Sequence, residues 1–335
     1  MKNKKPRVAI LGATGAVGQE FLSILEERKF PLAELKVLAS ERSAGKNVKF
    51  QGRWITIEPA TPESFKGIDL VLSSAGATVS RRLVPEAVKA GAVVVDNTSA
   101  FRMDPSVPLV IPEINASEIS KHRGIIANPN CSTIILAVPL YPLHEAARAR
   151  RVIVSTYQAA SGAGMKAMLE LEEQTREVLA GKKPRPKVFR HPIAFNLFSH
   201  DSAIREDGFT EEEYKMIQET RKIFRAPELK IVATTIRVPV LRAHSESIVA
   251  DFERPLSEEE AREILKKSPG VEVVDRRKEN YFPMPIEASG KDNILVGRIR
   301  KDPSSENGLA FFVSGDQLRK GAALNAVQIA EILFS

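Results

Sequence analysis

The strongest constraint on the fold lies at the start of the chain. The apolar run "RVAIL" (residues 7–11) meets Gly12, Gly15 and Gly18 in "GATGAVG" and passes into "QEFLSILEERK", which has helical periodicity. A buried strand, a glycine turn and a helix in that order form the opening of a strand–helix–strand unit. The pattern then continues. "LKVLAS" reads as a second strand, "VKFQGRWITIE" as a hairpin around Gly52, and "DLVLSS" as a third parallel-type strand. "VSRRLVPEAVKAG" reads as a helix, and "AVVVDNTS" and "GIIANPN" as further strands. Alternation of this kind predicts an α/β domain built on a doubly wound parallel sheet.

The pattern changes after Cys131. "STIILAVPLYPLHEAARA" is a long apolar helix that Pro139 and Pro142 are expected to kink or end. "RRVIVSTYQAAS", "KIVATTIRVPVL", "SESIVADFE", "VEVVD", "NILVGRIR" and "LAFFVSG" are strands whose spacing suits a mostly antiparallel second sheet. "MKAMLELEEQTREVLAG" is an amphipathic helix stopped at Gly181, and "SEEEAREILKKSPG" is a helix capped by Ser257. With 335 residues, two domains are expected. We place the first at 1–129, completed by a C-terminal helix at 315–335, and the second at 130–314.

Composition narrows the function classes. No apolar stretch approaches the roughly 20 residues of a membrane span. The single cysteine rules out an intrachain disulfide, and with no export signal it points to a reducing, cytoplasmic setting. The net charge of +7 is spread among interleaved acidic residues, as in "EEEYKMIQETRK", which is how solvated helix faces look. The basic loop "GKKPRPKVFRHP" reads the same way. Small anionic ligands account for the surplus better than nucleic acid or a membrane surface, and no metal ligand is assigned.

The glycine turn suits a pyrophosphate, because backbone amides at a helix start carry partial positive charge. Its G-x-x-G-x-x-G spacing departs from the usual fingerprint, and a plain tight turn is the alternative. After the second strand come Glu41, Arg42 and Ser43. Arg42 and Ser43 suit a 2′-phosphate, so NADP is favoured, while Glu41 would suit a ribose hydroxyl.

Cys131 follows a strand and opens a helix, a position that favours the thiolate, whereas most lone cysteines are small core residues. Asn130 and nearby amides suit a developing oxyanion. A thiolate beside a hydride carrier suggests aldehyde chemistry through a thioester. Such chemistry needs a base, drawn from His122, His144, His191, His200 and His244. His244 is favoured for its place just past a strand, beside Ser245 and Glu246. Arg237 and His244 would face opposite ways in one unbroken strand, so the chain must turn after Pro239 for both to share a site.

The segments "GATGAVG", "DNTSAFRMDPSVPLVIPEIN", "NPNCST", "YQAASGAG", "RVPVLRAHSES" and "GDQLRKGAALNAVQIAE", in this order, resemble the motifs of bacterial aspartate-β-semialdehyde dehydrogenases along essentially the whole chain. The resemblance implies a Rossmann-like doubly wound domain joined to an α+β catalytic and dimerisation domain, acting as a homodimer. It implies NADPH-dependent reduction of L-aspartyl 4-phosphate to L-aspartate 4-semialdehyde, on the route to lysine, threonine, methionine and diaminopimelate. Cys131 then resembles the nucleophile, His244 the general acid/base and Gln158 the residue that orients the substrate. Arg237 resembles the clamp on the substrate carboxylate and Glu212 the contact to its amine. Arg102 and Lys215 resemble phosphate ligands. Gly12, Thr14, Gly15, Ala16, Val17, Arg42, Ser43, Ser161, Gly162 and Gln317 resemble cofactor contacts. Helical spacing of three puts Glu212 and Lys215 on one face. The rival family, N-acetyl-γ-glutamyl-phosphate reductase, tends to carry an "NPGCY"-like segment where this chain has "NPNCS". A catalytically silent NADP-binding paralogue would be expected to have lost the thiol or the base.

Overall fold

The computed structural model describes residues 5–335. The chain divides into two compact units, one running to Asn130 and rejoined by Ala322–Ser335, the other Cys131–Gly321.

In the first unit, strands β1 (Arg7–Leu11), β2 (Glu34–Ala39), β5 (Glu58–Pro59), β6 (Leu70–Ser73), β7 (Val93–Asp96) and β8 (Ile125–Ala127) form one parallel sheet in the order β5-β2-β1-β6-β7-β8. The hairpin around Gly52 forms a separate pair, β3 (Asn47–Phe50) and β4 (Arg53–Thr56). Alternation along β1 sends Val8 and Ile10 to one face and Ala9 and Leu11 to the other. Helix α1 (Ala16–Glu27) buries Phe21, Ile24 and Leu25 on the first face, where the C-terminal helix Leu324–Phe334 adds Val327, Ile329 and Ala330. Helix α2 (Ala77–Lys89) covers the second face with Leu83, Val84 and Ala87. Strand order reverses between β1 and β6, and the Gly12 turn sits at that switch point, where sheets of this type leave a crevice. The short helix α3 (Pro112–Asn115) precedes β8.

In the second unit, helix α4 (Cys131–Ala147) leads into β9 (Ala149–Gln158), α5 (Met165–Leu179), β10 (Phe198–Ser199), α6 (Glu211–Phe224), β11 (Lys230–Arg237) and β12 (His244–Phe252). Helix α7 (Glu258–Lys266), β13 (Val271–Val273), β14 (Ile294–Lys301) and β15 (Gly308–Gly315) complete it. The seven strands run in the order β10-β11-β9-β12-β15-β14-β13. The β9–β11 and β13–β14 pairs are parallel and the other pairs antiparallel. Reciprocal capping boxes start α6 at Thr210 and α7 at Ser257, the latter as its S-x-x-E sequence predicts.

Two expectations are refined. Pro139 and Pro142 do not end α4, which continues to Ala147. The helix is buried nearly all round, with Ile134, Ile135, Leu136 and Leu140 inaccessible, and that packing outweighs the hydrogen bonds the prolines remove. The segment after β15 is not one helix. Asp316 accepts from the Leu318 and Arg319 amides, a π turn covers Arg319–Ala323, and the regular helix begins at Leu324. Residues 316–321 thus group with the second unit.

One core residue carries a cost. Glu246 on β12 is fully buried, and neither carboxylate oxygen has a hydrogen-bond partner among the described residues. Burial pushes its carboxyl well above the ordinary range. A folded pKa above the unfolded value means the fold is relatively favoured at low pH, and that advantage is lost as pH rises from about 4.3 through the folded value. Glu246→Gln is therefore expected to be more stable than the parent at neutral pH, by a margin that grows between pH 5 and 8. Paired thermal melts across that range check this, and a margin independent of pH would contradict it.

Candidate active site

In the first unit, a cavity of about 1140 Å³ opens at the Gly12 turn and is lined by Gly12, Thr14, Gly15, Ser40, Arg42 and Arg82 among others. Gly12 has φ +93°, and a Cβ there would lie 2.7 Å from the Ser74 carbonyl oxygen, so the turn requires glycine. Gly15 caps α1 without a side-chain hydrogen bond, which leaves the helix start to its backbone amides. Of the expected cofactor residues in this unit, Gly12, Thr14, Gly15 and Arg42 line the cavity, whereas Ala16, Val17 and Ser43 are not among its lining. Arg82, on α2, is a second cation at the wall that the sequence did not single out. Arg102 is buried and donates from Nε to the Asn128 carbonyl at 2.9 Å and from Nη2 to the Asn97 carbonyl at 2.7 Å.

In the second unit the key strand is β9. It lies between β11 and β12, with Arg237 in register with Gln158 on one side and Ser245 with Tyr157 on the other. Arg237 ends β11 and His244 begins β12, so both stand beside the end of β9. The chain does turn after Pro239. Ala160 and Ser161 amides donate to the Val240 and Leu241 carbonyls at 2.8 and 3.0 Å, pinning the crossing. Ala243 is held at φ +71°, a strained value for a non-glycine residue, by its amide donating to Gln317 Oε1 at 3.0 Å. The Gln317 amide donates to Ser161 Oγ.

The backbone of a single residue holds both His244 and Arg237. The Ala159 amide donates to His244 Nδ1 at 3.0 Å, and the Ala159 carbonyl accepts from Arg237 Nη1 at 3.2 Å. With Nδ1 an acceptor, the neutral imidazole carries its proton on Nε2. Burial first, and then the Arg237 charge, hold the His244 pKa well below the usual range, so the ring is neutral at working pH. Gln158 Nε2 lies 3.5 Å from His244 Nε2 and donates to Glu212 Oε1 at 3.4 Å, while Thr156 Oγ1 donates to Gln158 Oε1 at 3.1 Å. Glu212 Oε2 pairs with Lys215 Nζ at 3.3 Å, as their helical spacing predicts.

Cys131 is the first residue of α4, partly exposed, and near enough to Arg237 for its charge to act on the guanidinium. Its Cβ would lie 3.1 Å from a Cβ added at Gly321. Gly162 covers the other side, since a Cβ there would come within 2.9 Å of Arg237 Nη1 and 3.1 Å of His244 Nε2.

The second unit thus gathers Cys131, Gln158, Gly162, Glu212, Lys215, Arg237 and His244. It also adds His200, which the sequence offered only as one of five histidines. Its Nε2 lies 2.8 Å from Arg237 Nη2. The remaining histidines have other partners: His144 accepts the Ala149 amide at the end of α4, His191 packs edge-on against Phe198, and His122 accepts the Gly124 amide. A partly exposed thiol at a helix start, a neutral imidazole, a guanidinium and a carboxylate–ammonium pair can bind a zwitterionic acyl compound and attack its carbonyl carbon.

The chain is similar to known proteins over nearly its whole length. Residues 7–122 match the family described as "Semialdehyde dehydrogenase, NAD binding domain", and residues 140–320 match "Semialdehyde dehydrogenase, dimerisation domain". The aspartate-semialdehyde dehydrogenase of Synechocystis sp. is 57% identical over 98% of this chain and 97% of its own length. Aspartate semialdehyde dehydrogenase II of Vibrio cholerae, solved in complex with ASA, is 42% identical with a TM-score of 0.96, over 99% of this chain and 98% of that one. The Candida albicans aspartate semialdehyde dehydrogenase, solved with NADP, is 27% identical with a TM-score of 0.76, over 98% of each chain. The chain belongs to the aspartate-semialdehyde dehydrogenase family.

Proposed function

We propose that this protein reduces L-aspartyl 4-phosphate to L-aspartate 4-semialdehyde with NADPH, releasing phosphate, through a thioester on Cys131. The route served is the one to lysine, threonine, methionine and diaminopimelate. The carrying observation is the Ala159 backbone, whose amide and carbonyl hold His244 and Arg237 at the end of β9 in the unit that Cys131 opens.

Cys131 Sγ, as thiolate, attacks the acyl carbon. The carbon–oxygen bond to phosphate breaks with its electron pair leaving on phosphate, and a thioester remains. Lys215 is assigned to the phosphate, as is Arg102 from the first unit. Arg237 grips the substrate carboxylate through its planar fork, and Glu212 receives the substrate ammonium. Gln158 orients the acyl group. When bound, the dinucleotide supplies the hydride that reduces the thioester carbon. His244 Nε2–H then donates a hydrogen bond to the tetrahedral oxygen, and the carbon–sulfur bond breaks to return the thiolate and free the aldehyde. No net proton is needed in that collapse, which suits a ring whose Nδ1 is already committed to Ala159.

The fit of the first unit to a dinucleotide rests on the Gly12 turn, the uncapped start of α1 and the cavity beside them. Gly12, Thr14, Gly15, Ala16 and Val17 are assigned to the pyrophosphate turn, and Ser161, Gly162 and Gln317 to further cofactor contacts. Arg42 with Ser43 is assigned to a 2′-phosphate, and Arg82 on the cavity wall adds a second positive charge, which favours NADP. The match to a dimerisation domain and the exposed Leu179, Phe195 and Leu197 support a homodimer through the second unit. Among the described residues, no helix is long and apolar enough to cross a membrane.

Nicotinamide absorbance with aspartate semialdehyde, NADP and phosphate tests the assignment. Phosphate-dependent NADPH formation is expected, and Cys131→Ala is expected to abolish it while still binding NADP. Turnover of N-acetylglutamate semialdehyde instead would give the chain to the reductase family, and unchanged turnover in Cys131→Ala would refute the nucleophile. Gly162→Ala must push Arg237 and His244 aside. It is expected to lower kcat/KM by roughly 10²-fold with an unchanged melting temperature. Full activity in that variant would show that the pair tolerates displacement.

A further inference from the structure

The mechanism leaves one half-buried titratable side chain of the site, His200, unused. His200 follows the two-residue strand β10, which pairs antiparallel with the end of β11, and its amide extends that pairing by donating to the Thr235 carbonyl at 2.8 Å. The ladder hangs the imidazole beside Arg237, with His200 Nε2 lying 2.8 Å from Arg237 Nη2.

A guanidinium only donates, so His200 Nε2 must accept and the ring proton must sit on Nδ1. Nδ1 then donates to Ser202 Oγ at 3.1 Å, and the same hydroxyl oxygen accepts the Glu212 amide at 3.3 Å. The Ser202 amide also lies 3.2 Å from Nδ1. The other tautomer would satisfy that neutral amide but would turn an N–H against the buried Arg237 charge, the costlier mismatch. The ring thus links Arg237 to the start of α6, the helix that carries Glu212 and Lys215.

The charged groups acting on His200 are Arg237, Glu212, Asp201 and Lys215. Burial, and then the Arg237 charge, push its pKa down to about 4, so it remains an acceptor throughout the working range. With Nε2 spent on Arg237, it is not a base for the substrate.

Arg237 itself has few restraints. Nη1 donates to the Ala159 carbonyl, Nε has no hydrogen-bond partner among the described residues, Asp201 lies 3.9 Å from Nε, and the Phe189 ring centroid is 5.7 Å from Cζ. Without His200 the fork could pivot about its one bond to Ala159. We propose that His200, through Ser202 and Glu212, is a positioning residue that sets the plane of the Arg237 fork and so the enzyme's affinity for the substrate carboxylate. This rests on the reading of Arg237 as the carboxylate clamp.

Two polar variants of the full-length enzyme separate this role from simple filling of the space. In His200→Asn the side chain keeps the reach to Ser202 but falls short of Arg237. In His200→Gln, Oε1 takes the place of Nε2 as acceptor. His200→Asn is expected to raise KM for aspartate semialdehyde about tenfold or more, with kcat and the KM values for phosphate and NADP within about twofold of the parent. His200→Gln is expected to restore most of the affinity. In an Arg237→Lys background, His200→Asn is expected to add nothing. An unchanged KM in His200→Asn, or a uniform fall in all parameters that His200→Gln fails to relieve, would overturn the proposal. If Arg237→Lys alone left KM for aspartate semialdehyde unchanged, the clamp reading would fail first. If Arg237→Lys raised KM but His200→Asn in the otherwise unchanged enzyme did not, the His200 inference alone would fail.

Discussion

The second unit is organised around the backbone of one residue, Ala159. At the end of β9 the ladder hydrogen bonds run out, and the Ala159 amide and carbonyl must find partners elsewhere or be buried unsatisfied. They find His244 and Arg237. Because β9 has β11 on one side and β12 on the other, those partners arrive from strands that never touch each other. The bond to His244 selects the tautomer, and the bond to Arg237 anchors one arm of the fork. The crossing from Val238 to Ala243, including the strained Ala243, follows from having to pass over that strand end.

The site is costly to bury. Arg237, Glu212, His244 and Gln158 are all nearly inaccessible, and each ionic group survives there only because another compensates it. Arg237 feels Glu212 and Asp201, and Glu212 holds Lys215. The two histidines answer the same field by staying neutral, each then presenting one acceptor and one donor in fixed directions. Neutrality thus converts two titratable rings into directional hydrogen-bonding groups, one held by the Ala159 amide and one held to the arginine. Asp316 plays a similar part on the far side of the crossing. It accepts from Arg242, Gly290, Leu318 and Arg319, and so holds both Gln317 and the approach to His244.

What could be read from the sequence was local. The strand–glycine turn–helix opening, the Ser257 cap, the helix start at Cys131 and the Glu212–Lys215 spacing each depend on neighbours a few residues away. The need for a turn after Pro239 followed from strand alternation alone. What could not be read depends on sheet order. Nothing near "SHDS" marks His200, because it reaches Arg237 only through a two-residue edge strand that pairs with β11. Arg82 joins the cavity wall only because α2 follows β6 across the switch point. Glu246 looks like a solvent-facing charge until β12 proves to be an inner strand flanked by β9 and β15. The two prolines of α4 misled for a related reason, since their local cost is fixed but the burial that offsets it is tertiary.

The central claim is that Cys131 carries the acyl group. Mixing the protein with aspartyl phosphate in the absence of NADPH, quenching in acid and sequencing the peptides by mass spectrometry tests it directly. The account predicts an aspartyl thioester confined to the peptide containing Cys131, formed with release of an equal amount of phosphate. An unmodified Cys131 in protein that turns over fully once NADPH is added would contradict it.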